Sequence, residues 1–149
     1  MKKTYALLLL LLCLCTACGQ AAHSGQTAEQ FAQSLSDNGL KGSLSALSEH
    51  MQTLTGDPYE YALSNTEETL ALYIYADADA AAADAACVSP DGFGYDRDTQ
   101  EGERIGVQTD WVDVPHFFRG ENLIVRYIGS DSAILSALES LCGPQFAGG

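Results

Sequence analysis

The side chains suited to catalysis or ligation are few in this 149-residue chain, and their spacing limits what they can do. His23, His50 and His116 stand far apart, so the H-E-x-x-H and H-x-x-E-H zinc spacings are absent. His116 lies beside Pro115, Phe117 and Phe118 at the start of an expected strand. A hydrogen-bonded structural imidazole suits that setting better than a general base, which needs a partner within hydrogen-bond reach. There is no G-x-S-x-G elbow, no S-x-x-K and no glycine-rich phosphate loop. Asp91, Asp96, Asp98, Glu101 and Glu103 crowd one Gly-rich stretch. Calcium takes oxygen ligands from such loops, but the spacing is not that of an EF-hand, and a solvated acidic loop is the simpler expectation. Asp77, Asp79 and Asp84 fall near the start of an expected helix, where capping and solvation explain them. No catalytic residue, metal or cofactor is therefore expected.

Cysteine supplies the remaining chemistry. Lys2 and Lys3 give a basic start, residues 6–14 form an apolar run, and Cys15-Thr16-Ala17 puts small residues before Cys18. That order is a secretory signal, and the run is too short for a spanning helix, which needs about 20 residues. The Thr-Ala-Cys ending resembles the lipobox of bacterial lipoproteins, with Cys15 where Leu is usual. The resemblance implies that the Cys18 thiol takes a diacylglyceryl group and that residues 1–17 are cut away. Ordinary cleavage after Ala17 or Ala22 is the alternative. Two acyl chains anchor stably where one holds only marginally. Cys13 and Cys15 leave with the signal, so Cys87 and Cys142 remain in the domain. Outside the cytoplasm a disulfide between them is allowed. Both fall near the ends of corresponding expected helices, which makes them a candidate pair; the alternative is two small buried apolar residues.

Loss of residues 1–17 leaves five Lys/Arg against 20 Asp/Glu, a formal charge of −15. A basic footprint for nucleic acid is absent. So acidic a surface is repelled by anionic headgroups, and the lipid rather than a polybasic patch must anchor it. About 130 residues suit one domain.

Residues 18–26 are expected to be the lipidated cysteine and a flexible tether, and residues 27–149 a single domain. Thr27 and Gln30 fit a capping box at the start of a helix that ends at Asn38-Gly39. Residues 40–56 allow a helix or an extended segment. Residues 59–63 are strand-like, and 70–75 alternate with period two. Asp77 opens an alanine-rich helix to about Cys87. Residues 93–103 are expected as a loop and 105–114 as a strand. Residues 116–119 and 123–128 form a hairpin, and Asp131 caps a last helix with one apolar face, ended by Gly143-Pro144. Residues 59–87 and 116–142 thus repeat strand, turn, strand, helix, with Leu70-Ala71-Leu72 aligned to Leu123-Ile124-Val125. The expected fold is α+β: an antiparallel sheet from two such units, with the helices on one face. Tyr73, Tyr75, Trp111, Phe117 and Phe118 fall on expected strands. They are the candidate interaction face, because aromatic rings contribute large contact area at small rotamer cost.

Asp110-Trp111-Val112-x-x-Pro115-His116-Phe117-Phe118-Arg119, Leu123-Ile124-Val125-x-Tyr127-Ile128-Gly129-x-Asp131 and Gly143-Pro144-Gln145-Phe146-Ala147-Gly148 resemble a group of small uncharacterised bacterial lipoproteins. The resemblance extends to Tyr75-Ala76-Asp77 and Ser89-Pro90-Asp91-Gly92 and covers the chain from about Tyr59 onward. Similar sequences look extended before the first clear strand, which favours extended structure over residues 43–54. The resemblance implies attachment at the cell surface and brings no activity with it. The expected function is a lipid-anchored, non-enzymatic module of the cell envelope. It would be exported to the outer side of the membrane and dock an envelope protein or polymer. The alternative is a small-ligand or metal-binding surface lipoprotein.

Overall fold

The computed structural model describes residues 25–48, 53–99 and 101–149. Cys18, His23 and His50 lie outside the described residues. The helices are α1 (Ala28–Asp37), α2 (Ala78–Ala85) and α3 (Ser132–Cys142). The strands are β1 (Gly42–Ala46), β2 (Asp57–Leu63), β3 (Thr69–Ile74), β4 (Gly94–Asp98), β5 (Arg104–Gln108), β6 (Pro115–Arg119), β7 (Leu123–Ile128) and β8 (Ala147–Gly148). The fold is α+β. Six strands form one antiparallel sheet in the order β1-β2-β3-β7-β6-β8, and β4 and β5 pair as a separate hairpin.

The caps form as their residue types dictate. Thr27 and Gln30 close a reciprocal capping box on α1: the Thr27 N–H donates to Gln30 Oε1 at 2.8 Å and the Gln30 N–H to Thr27 Oγ1 at 3.3 Å. Asp77 accepts from the Ala80 N–H, and Asp131 from those of Ala133 and Ile134. Such acceptors satisfy N–H groups that have no partner within the helix. Residues 42–46 are extended, as the resemblance implied, and residues 49–52 lie outside the described residues.

Strand β3 organises the interior, because it is apolar in both phases. Leu70, Leu72 and Ile74 join Leu123, Val125 and Tyr127 of β7, Phe31 and Leu35 of α1, and Ile134 and Leu138 of α3 in one cluster. Ala71, Tyr73 and Tyr75 join Ile124, Phe117, Tyr95 and the α2 residues Ala81 and Ala85 in another. Successive strand residues point to opposite faces. The helices therefore do not share a face: α1 and α3 cover one side of the sheet, and α2 with the β4-β5 hairpin covers the other.

The reason is a one-residue difference in phase. Asp77 and Asp131 are the corresponding caps, and counted back from them Leu70 matches Ile124 rather than Leu123. Each helix covers the strand residues an even number of positions before its cap: Tyr75, Tyr73 and Ala71 for α2, and Tyr127, Val125 and Leu123 for α3. The β3-β7 register pairs Leu72 with Val125, so these two sets point opposite ways. A shift of one residue reverses every side chain.

Two further expectations change. Residues 93–103 are not a loop; β4 and β5 pair across them, with Tyr95 opposite Val107. The strand expected over 105–114 ends at Gln108.

Candidate functional site

Asp84 is the residue around which polar groups converge. On α2, Ala81, Asp84 and Ala85 lie at i, i+3 and i+4, the stripe that faces the sheet. Asp84 is 5% exposed, and a carboxylate taken out of water needs donors. Four hydrogen bonds meet it. The Tyr75 hydroxyl donates to Oδ2 at 2.7 Å and the Tyr95 hydroxyl to Oδ1 at 2.6 Å. Thr55 donates its backbone N–H at 2.6 Å and its hydroxyl at 3.1 Å to Oδ2. Burial and the neighbouring Asp84 charge push both phenols well above the ordinary tyrosine range. They hold their protons and donate permanently. The arrangement ties the segment before β2, the end of β3, α2 and β4 to one carboxylate. It is one acceptor shared by four donors.

The capping-and-solvation reading of Asp84 is thus corrected. The signal was present: on a helical wheel, Asp84 falls in the Ala81–Ala85 stripe.

His116 behaves as its sequence context suggested. It is buried, its Nδ1 lies 2.6 Å from Gln145 Oε1, and its ring stacks on Tyr127 at 6.1 Å between centroids. The acids of residues 91–103 do not converge; among the described residues no three His, Cys, Asp or Glu side chains are placed to hold a metal. Asp96 instead pairs with Arg104 at 3.1 Å across the hairpin.

The candidate interaction face is interior. Tyr73, Tyr75, Phe117 and Phe118 are buried, and Trp111 is half-buried. The physical reason is that β3, β7 and β6 are covered on both sides, one by α1 and α3 and the other by α2 and the hairpin. Trp111 and Tyr73 also flank the Arg126 guanidinium, whose carbon lies 4.7 Å and 5.6 Å from their ring centroids. Among the described residues the exposed large apolar side chains are instead Ile105, Val112 and Val114.

The candidate disulfide is not formed. Cys87 and Cys142 are free thiols. Cys87 packs with the α2 cluster and Cys142 with the α1-α3 cluster, a consequence of the helices lying on opposite faces. Burial raises both thiols, Cys142 to about 12 and Cys87 with help from the Asp84 charge.

Two polar arrangements had no strong sequence signal. Asn122, 1% exposed, donates its amide to Gln26 O at 3.0 Å and Tyr75 O at 3.1 Å and accepts from the Gln26 N–H at 2.9 Å. A Cβ on Gly25 would run into this amide. Gly25 and Gln26, expected in the tether, are therefore docked to the sheet. Arg119, at the end of β6, lines a groove of about 470 Å³ with Ala82 and Ala85 of α2, its C-cap Ala86, Cys142, and residues 144–146.

Compared with known proteins, the chain matches no family model, no curated sequence and no solved structure.

Proposed function

We propose that this protein is a lipid-anchored, non-enzymatic interaction module of the cell envelope, held by a diacylglyceryl group on Cys18. The observation that carries this reading is the order of basic start, apolar run and Thr-Ala-Cys ahead of Cys18. Among the described residues no helix is long and apolar enough to cross a membrane.

The docked Gln26 gives the attachment a direction. Asn122, which holds it, lies just before β7, while Val114 O accepts from the Gly129 N–H just after β7. The chain from Cys18 therefore enters at one end of the sheet, and Val112 and Val114 stand at the other. Val112 is 99% exposed. Val112, with Val114 two residues on, is the docking tip this reading assigns to an envelope partner. The non-enzymatic part of the proposal rests on the saturation of Asp84 and on the amide partner of His116.

A photo-crosslinking side chain placed at Val112 in the cell's own membranes tests this reading. It should capture a discrete envelope partner, with the same substitution at Glu29 on α1 as the control. Identical products from both positions would remove the tip from the proposal. A chain extracted from those membranes with a free thiol at Cys18 would remove the anchor.

A further inference from the structure

We infer that the groove between α2 and residues 144–146 binds a monocarboxylate with a short aliphatic body, its carboxylate taken by Arg119. The inference does not depend on the lipid at Cys18.

The cations among the described residues are Lys41, Arg97, Arg104, Arg119 and Arg126. Arg104 is paired with Asp96, and Arg126 lies against Trp111 and Tyr73. Arg119 has no hydrogen bond or ion pair among the described residues, and it lies on the wall of a groove of about 470 Å³. That volume is in the range of small-ligand sites, which combine apolar walls with a few polar groups. The walls here are Ala82, Ala85 and Ala86 on one side and Pro144 and Phe146 on the other. Alanines leave the α2 backbone open to close approach by a thin aliphatic chain. Cys142 adds a neutral wall, since burial keeps its thiol protonated at physiological pH.

Charge selects the ligand's head. A guanidinium fork matches a carboxylate bidentately. One arginine balances one negative charge, and the expected mature chain carries a formal −15. Repulsion from that field is screened beyond about 8 Å at physiological ionic strength, so a monoanion can approach. A multiply charged phosphate would meet a single cation in an acidic surround. A peptide C-terminus of small residues and a small free acid share the chemistry that fits.

The test is a titration of the full chain in detergent, followed by the backbone amide resonances of Ala82, Ala85, Ala86 and Phe146. The probes are Ala-Ala-Ala with a free C-terminus, the same tripeptide amidated, propionate, and inorganic phosphate. The free acid should shift those four resonances, and the amidated peptide should bind at least about tenfold more weakly. Arg119→Gln should weaken the free acid by a similar factor while the rest of the spectrum is kept, and Arg119→Lys should fall between, since a point charge replaces the fork. Propionate matching the tripeptide assigns the site to small acids; a clear preference for the tripeptide assigns it to peptide ends. Equal binding of the amidated peptide, equal or tighter binding of phosphate, no shift at these residues, or an unchanged Arg119→Gln titration would each overturn the inference.

Discussion

At the residue scale, Asp84 decides how four segments meet. Its removal orphans Tyr75, Tyr95 and the Thr55 N–H together. A buried donor left without a partner costs about 1–3 kcal/mol. Asp84→Ala should therefore lower unfolding stability by about 3–5 kcal/mol in chemical denaturation. A loss below 1 kcal/mol would mean that water or new partners replace the carboxylate. The two phenols also set an alkaline limit. Their folded pKa values lie above the ordinary value of 10. As pH rises past 10 the unfolded chain releases these protons first, so it binds fewer protons than the folded chain. Their stabilisation is complete below pH 10 and is lost above it. Denaturation midpoints should fall as pH rises past 10, and Tyr95→Phe should make that fall shallower while lowering stability at pH 7. A Tyr95→Phe chain with an unaltered alkaline slope would contradict this linkage.

At the element scale, the sheet is a two-sided core. Leu138 of α3 and Ala81 of α2 are both fully buried, on opposite faces. Leu138→Asp and Ala81→Asp should each cost several kcal/mol, because each buries an unpaired charge. A thermal melt unchanged by Ala81→Asp would show that the α2 face is not core. Much of this scale was legible in the sequence. The caps at Thr27, Asp77 and Asp131, the alternation of β3 and the one-sided α3 all follow from local residue chemistry, and all form. The faces of the helices were not, since they depend on the β3-β7 register, a long-range property. One clue was available: Leu70-Ala71-Leu72-Tyr73-Ile74-Tyr75 is apolar in both phases, the mark of a strand covered on both sides. The same clue would have placed Tyr73 and Tyr75 inside. Strand β4 was hidden because Asp96, Arg97 and Asp98 are polar, with Tyr95 its one buried residue, whereas the start of β5 at residues 105–108 was legible as strand. The Arg119 groove had no signal, since it is assembled by α2, α3 and the C-terminal segment from distant parts of the chain.

At the scale of the whole molecule, the proposed anchor and the docked Gln26 together set the geometry. Six residues lie between Cys18 and Gly25, seven chain steps with a reach of at most about 25 Å. With a charge of −15 the domain gains nothing from an anionic surface, so a diacylglyceryl group would carry the attachment alone. The groove lies near the same end of the sheet as Asn122, since Arg119 closes β6 three residues before Asn122 in the β6-β7 turn.

The chemistry at Cys18 can be read directly by intact-mass and N-terminal fragment mass spectrometry of the protein taken from its own membranes. The lipid-anchored reading predicts a mature chain that begins at Cys18 and carries a diacylglyceryl thioether, with Cys18→Ser leaving an uncut, unlipidated precursor. A mature N-terminus after Ala22, or one at Cys18 with a free thiol, would contradict it.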